Sequence, residues 1–217
     1  MTRCGGEAAR MSTVYHRLFG LVVVAAALYW LAVVTVMHFL EPEFSPLKVP
    51  MSAYVGGAYG GWMTTSFFAL ATALVATAFG VLRTLGRNVL ACAGFLLFIV
   101  AAFGVVLAGI FPGIITGPSA AHWHGVGSRF AFPGMAFGSL LLSFGFSSDP
   151  DWQRISVAAL TLSGGVVFFL ALSFSPVTAD LGGLVQRIFF AFLIPWLALV
   201  GIHLMRFERA DSFSESR

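Results

Sequence analysis

Two histidines separated by one residue, His122 and His124, and two arginines that border apolar runs, Arg129 and Arg187, are the side chains of this sequence best suited to chemistry. An H-x-H pair in an extended loop places both imidazoles on one side, where they can hold zinc or a similar divalent ion. In a regular helix the same rings point apart. A catalytic metal also needs a third protein ligand. Asp180, Glu41, Glu43 and His38 are available for it, and no H-E-x-x-H spacing selects among them. A set of His122, His124 and Asp180 would acidify a bound water and support a metal-dependent membrane hydrolase or lipid-remodelling enzyme. The alternative is a pair of interfacial histidines hydrogen-bonded to backbone or water.

The arginines point to a different chemistry. Each must snorkel, pair, or face a polar cavity to avoid the cost of charge in hydrocarbon. A guanidinium offers planar, bidentate donors that match phosphate and carboxylate. Arg129 and Arg187, with His124, Gln186 and Tyr54 on the same side of the chain's apolar runs, therefore form the expected ligand site, and an anionic lipid or small amphiphile is the expected ligand. Tyr54, Tyr59 and Trp62 also have the composition of an interfacial aromatic belt, and the hydroxyls of Thr64, Thr65 and Ser66 are expected to bond to backbone or across helices. No base or oxyanion arrangement marks any of them as a nucleophile. Neither a phosphate-binding P-loop nor a G-x-G-x-x-G fingerprint is present, which argues against nucleotide-driven chemistry.

The elements that must position these residues follow from composition. The 217 residues are 59% hydrophobic and 10% charged, with 23 Phe, where soluble domains carry about a quarter charged residues. Apolar runs of membrane-spanning length recur from end to end, at about 18–40, 60–82, 89–110, 125–146, 155–175 and 184–205. Each is long enough to cross about 30 Å of hydrocarbon as a helix. Helices are required because the bilayer interior offers no water to unpaired backbone groups, and the runs lack the alternation of barrel strands. The fold class is all-α: a polytopic bundle of six transmembrane helices. Residues 1–17 are expected to form a disordered cytoplasmic tail, with Met1 or Met11 as the start, 18–206 the membrane domain, and 207–217 a second cytoplasmic tail.

The twelve Lys and Arg set the orientation. With the amino terminus inside the cell membrane, Arg3, Arg10, Arg17, Arg83, Arg87, Arg154, Arg206, Arg209 and Arg217 lie on the cytoplasmic side. Lys48, Arg129 and Arg187 lie on or near the other, as the positive-inside rule favours. The net charge of +3 is dispersed in short clusters with no basic face, so nucleic acid is not an expected partner. Membrane lipids are, and a homo-oligomer or a membrane-protein partner fits the composition. Cys4 and Cys92 lie in different environments and are not expected to pair. The seven-residue repeat of Gly94, Ala101 and Ala108 gives the third span a close-packing face and suggests a central position. Gly164 and Gly165 offer the fifth span a close approach, and Pro133 and Pro195 are candidate kinks. A small transporter is the remaining reading, without an inverted repeat or deep charges to support it.

Several segments carry a family resemblance. These are Ser52-Ala53-Tyr54 through Gly60-Gly61-Trp62-Met63, Gly109-Ile110-Phe111-Pro112, a histidine opening the fourth span, and Gly183-Leu184-Val185-Gln186-Arg187 opening the sixth. In this order and spacing the chain resembles the uncharacterised prokaryotic membrane-protein family catalogued as domain of unknown function 998. That resemblance implies a six-helix membrane protein and no particular reaction. It also implies a family histidine at His122 or His124, of which His124, followed by Gly125, is the better match, with Gln186 and Arg187 as the matching pair.

Overall fold

The computed structural model describes residues 3–85, 88–111 and 117–207, with side chains from Val14 onward. Arg87, Pro112, Arg209, Arg217 and the tail from residue 208 lie outside the described residues, as do the side chains of Arg3 and Arg10. The elements are α1 (Arg3–Leu40), α2 (Gly60–Thr84), α3 (Val89–Ile110), α4 (Pro118–Ser147), α5 (Gln153–Leu172) and α6 (Gly182–Arg206). Two 3-10 turns, Met51–Gly56 and Pro176–Leu181, precede α2 and α6. All six helices are long and apolar enough to cross a membrane, so the chain is a multi-pass membrane protein in contact with lipid.

Two helix starts differ from the sequence reading. α1 is already helical at Arg3, through residues expected as a tail, although its membrane-length stretch begins at Val14. α4 begins at Pro118, seven residues before the expected Gly125. Gly117 turns with φ of 98°, a conformation glycine adopts without strain, and Pro118 follows at the first helical position, where its missing N–H costs nothing. The added turns project α4 beyond its apolar stretch and carry His122 and His124 with them.

Each helix packs on the next, and α6 returns to α1, closing a ring. Burial alternates around it. The most apolar windows of α2, α4 and α6 are 56%, 56% and 50% buried, against 33%, 39% and 28% for α1, α3 and α5. The even-numbered helices are thus the inner set, with α6 touching both α2 and α4. α3 is accordingly an outer helix, not the central one suggested by its small residues. Those residues serve a single neighbour, α4. A Cβ on Gly94 would lie 2.6 Å from Leu142, and one on Gly134 would lie 2.8 Å from Ala101. Gly104 and Gly127 face each other so closely that a Cβ on Gly127 would meet the Gly104 carbonyl at 2.6 Å. Dispersion between close-packed backbones replaces the hydrophobic drive that lipid cannot supply.

Gly20 and Gly201 make the equivalent contact where α1 meets α6. Gly165 meets Phe192 of α6, whereas Gly164 faces open space. α4 and α6 run helically through Pro133 and Pro195. Two buried tryptophans pack against α4: Trp196 Nε1 of α6 donates to Ser143 Oγ at 2.9 Å, and Trp152, just before α5, stacks on Phe146 with centroids 4.3 Å apart. The hydroxyls of Thr64, Thr65 and Ser66 donate to carbonyls three or four residues back, as expected of hydroxyls in apolar surroundings.

Candidate functional site

The loop-bearing end of the bundle is assembled around Arg187. Its Nε donates to His38 Nε2 at 2.8 Å, Nη1 donates to the carbonyls of Val49 (2.9 Å) and Gly183 (3.0 Å), and Nη2 donates to the Tyr54 hydroxyl at 3.0 Å. Four of the five guanidinium N–H groups are used by the protein. His38 Nδ1 lies 2.6 Å from the Val34 carbonyl, so Nδ1 carries the proton and Nε2 is left as the acceptor that Arg187 needs. Tyr54 is 1% exposed and is boxed edge-on by His38 and Phe44. Arg187 therefore ties α1, the Met51–Gly56 turn and α6 into one junction.

Its neighbours reinforce that junction. Gln186 Oε1 accepts from the Met51 N–H at 2.6 Å, and the Leu184 N–H donates to the Leu47 carbonyl at 2.9 Å. Gly183 lets α6 start against the preceding loop, because a Cβ there would lie 2.6 Å from the Val49 carbonyl. Glu41, 1% exposed, accepts from the Tyr59 N–H at 2.7 Å, and its carboxylate packs against Gly57. A negative charge at the start of α2 satisfies a helix N–H that has no partner within the helix and complements the helix dipole. Tyr59 and Trp62 are 46% and 60% exposed beside it, where a membrane interface would accept them.

The histidine pair does not converge. Both residues lie within α4, where positions two apart are separated by roughly 200° around the axis. His122 is exposed, with its ring edge-on to that of Trp123 at 5.5 Å. His124 faces α3, with Nδ1 3.0 Å from the Ala108 carbonyl and 3.1 Å from that of Phe111. It caps the carboxyl end of α3. Asp180 is exposed on the Pro176–Leu181 turn, and among the described residues no group of three His, Cys, Asp or Glu is placed to hold a metal ion. The extended H-x-H loop on which zinc depended is replaced by helix.

Arg129 is in a different situation. It lines a crevice of about 360 Å³ between α4, α5 and α6, whose walls are largely Phe132, Phe169, Phe174 and Phe189. Among the described residues Arg129 makes no hydrogen bond or ion pair. Ser128, Ser173 and Gln186 add polar atoms to the same walls. An apolar slot with one unpaired cation is suited to a molecule that is greasy over most of its surface and acidic at one point.

Comparison with known proteins agrees with the architecture. A family model described as "Protein of unknown function (DUF998)" matches residues 6–203. The chain belongs to the DUF998 family. No curated protein and no solved structure matches it. In this DUF998 chain, Ser52-Ala53-Tyr54 and Gly183 through Arg187 meet in the Arg187 junction, and His124 joins α4 to α3. Of the five expected ligand residues, the structure brings Tyr54, Gln186 and Arg187 together, lines the crevice with Arg129 and Gln186, and sets His124 behind it. Sequence reasoning weighed His38 and Glu41 only as spare metal ligands and missed their structural partners. No local spacing links residue 38 to residue 187 or residue 41 to residue 59. The available signal was the placement of each polar residue at the end of an apolar run, where it must find a partner.

Proposed function

We propose that this DUF998 protein binds an anionic lipid or small amphiphile in the crevice between α4, α5 and α6, with Arg129 as the charged contact. The supporting observation is the unpaired Arg129 guanidinium on the wall of a 360 Å³ aromatic slot. Arg129 lies eleven residues into α4, roughly 16 Å along the axis, which suits a headgroup at the polar boundary with acyl chains running down the slot. Arg187 has one N–H left and acts through structure instead of as a second clamp. Arg17, Arg83, Arg154 and Arg206 lie at the opposite end of the bundle. With that end cytoplasmic, both termini are inside and the crevice opens towards the outer leaflet of the cell membrane.

Native mass spectrometry of the purified protein tests the reading. The wild type is expected to retain an acidic lipid that Arg129→Ala loses. Equal retention by both, with the same lipid mass, would remove Arg129 from the site and the proposal with it.

A further inference from the structure

Beside the crevice lies a second, smaller cavity of about 30 Å³ among α1, α2, α3, α4 and α6. Ser128, Phe132 and Gln186 line both spaces, so the two are separated by a shared wall carrying a hydroxyl and an amide. The inner cavity is otherwise apolar except for Ser52 and His124. Its volume accommodates a few water-sized groups but no acyl chain.

The hydrogen-bonding sense of each polar group follows from its partners. His124 Nδ1 faces two carbonyl oxygens, both acceptors, so in the neutral ring the proton sits on Nδ1 and Nε2 is a bare acceptor. Among the described residues nothing donates to Nε2. Gln186 is oriented by the Met51 N–H, which takes its carbonyl oxygen and leaves the NH₂ as a donor towards the cavities. Ser128 stands one turn from His124 on the same face of α4 and makes no hydrogen bond among the described residues, so its hydroxyl can serve either neighbour. The polar groups thus run from a cation (Arg129) through donors (Gln186 and Ser128) to an acceptor (His124 Nε2). An anion alone would satisfy the first part and leave His124 unanswered.

Building on the crevice reading, we infer that the ligand is an anion bearing a hydroxyl group: a phosphate against Arg129 and Gln186, and a hydroxyl that passes the Ser128 wall and donates to His124. A phosphoglycerol-type headgroup has this chemistry, and a phosphate ester without a free hydroxyl does not. His124 is then the residue that sets specificity, and Arg129 the one that sets affinity.

The experiment compares phosphatidylglycerol with phosphatidylmethanol of identical acyl chains, each titrated against the protein in neutral-lipid nanodiscs. The two lipids carry the same charge and differ in the hydroxyls. Wild type is expected to prefer phosphatidylglycerol by about tenfold, the effect of one buried hydrogen bond left unmade. His124→Phe keeps a ring at this position but has no acceptor for the hydroxyl, and it is expected to bind both lipids alike. Equal affinity of the wild type for the two lipids, with both lost in Arg129→Ala, overturns the hydroxyl inference and leaves the crevice intact. Weak binding of both lipids, unchanged by Arg129→Ala, overturns the crevice reading itself. Free glycerol phosphate is expected not to compete. Displacement of the lipid by it at equal concentration would overturn the assignment to a lipid in favour of a soluble phosphoglycerol compound. The lipid pair on the wild type needs no variant to fold.

Discussion

Arg129 and Arg187 begin from the same chemistry and the same end of the bundle, yet they do different work. Arg187 is enclosed by acceptors from three segments, so its charge is spread over His38, Tyr54 and two carbonyls. Arg129 faces a slot walled largely by phenylalanines and makes no hydrogen bond or ion pair among the described residues. A guanidinium whose donors are filled holds a fold together, and one whose donors are empty is available to a ligand. Residue type alone does not separate these roles. The count of acceptors around each group does.

The strongest way to break this contrast is Arg187→Ala. It leaves His38 Nε2, the Tyr54 hydroxyl and the Val49 carbonyl without their donor, and it is expected to lower stability by about 3 kcal/mol, read from chemical or thermal unfolding in detergent. Arg187→Lys should recover only part of that loss, because a single ammonium cannot reproduce the fork. Unfolding of either variant at the wild-type midpoint would show that the junction contributes little.

Gln186→Glu separates the two regions at the residue they share. A carboxylate still accepts from the Met51 N–H, so the junction should hold, but the NH₂ is lost and a negative charge enters the crevice wall. Affinity for an acidic lipid in nanodiscs is expected to fall more than tenfold while the unfolding midpoint stays near that of the wild type. The opposite pattern would place Gln186 wholly within the junction.

Arg129→Ala should weaken acidic-lipid binding about tenfold and leave unfolding essentially unchanged, since among the described residues no hydrogen bond or ion pair is removed. Its effect on stability, measured beside that of Arg187→Ala, is the most direct comparison of the two arginines. Tyr54→Phe is the finest test. It deletes one of four Arg187 bonds and keeps the ring between His38 and Phe44, so a loss of about 1 kcal/mol is expected with lipid affinity unaltered.

The spans were legible because lipid imposes one simple demand, and α3 occupies Val89–Ile110 as its apolar run indicates. The start of α4 was not, because helices continue past the hydrocarbon wherever backbone geometry permits. Gly117 and Pro118 set that boundary, and neither contributes to the apolar run. The metal reading depends on the same boundary, since it needs an extended loop where His122 and His124 occupy the first turns of a helix. α3 was misplaced for a related reason: small residues indicate that a helix has a close neighbour, and they do not say how many. The Arg187 junction was half legible. Its members could be named from their positions at the ends of apolar runs, but the pairing of residues 38, 54 and 187 depends on the ring topology, which no stretch of sequence encodes locally.

The close approach of Gly20 to Gly201 has a consequence for how the protein is made. Synthesis runs from α1 towards α6, so α1 finds its second neighbour only when α6 has been inserted, and until then that flank of α1 stays unsealed. A chain halted before α6 would lack both the seam and the arginine that locks it, and quality-control proteases would meet an open bundle in place of a closed one.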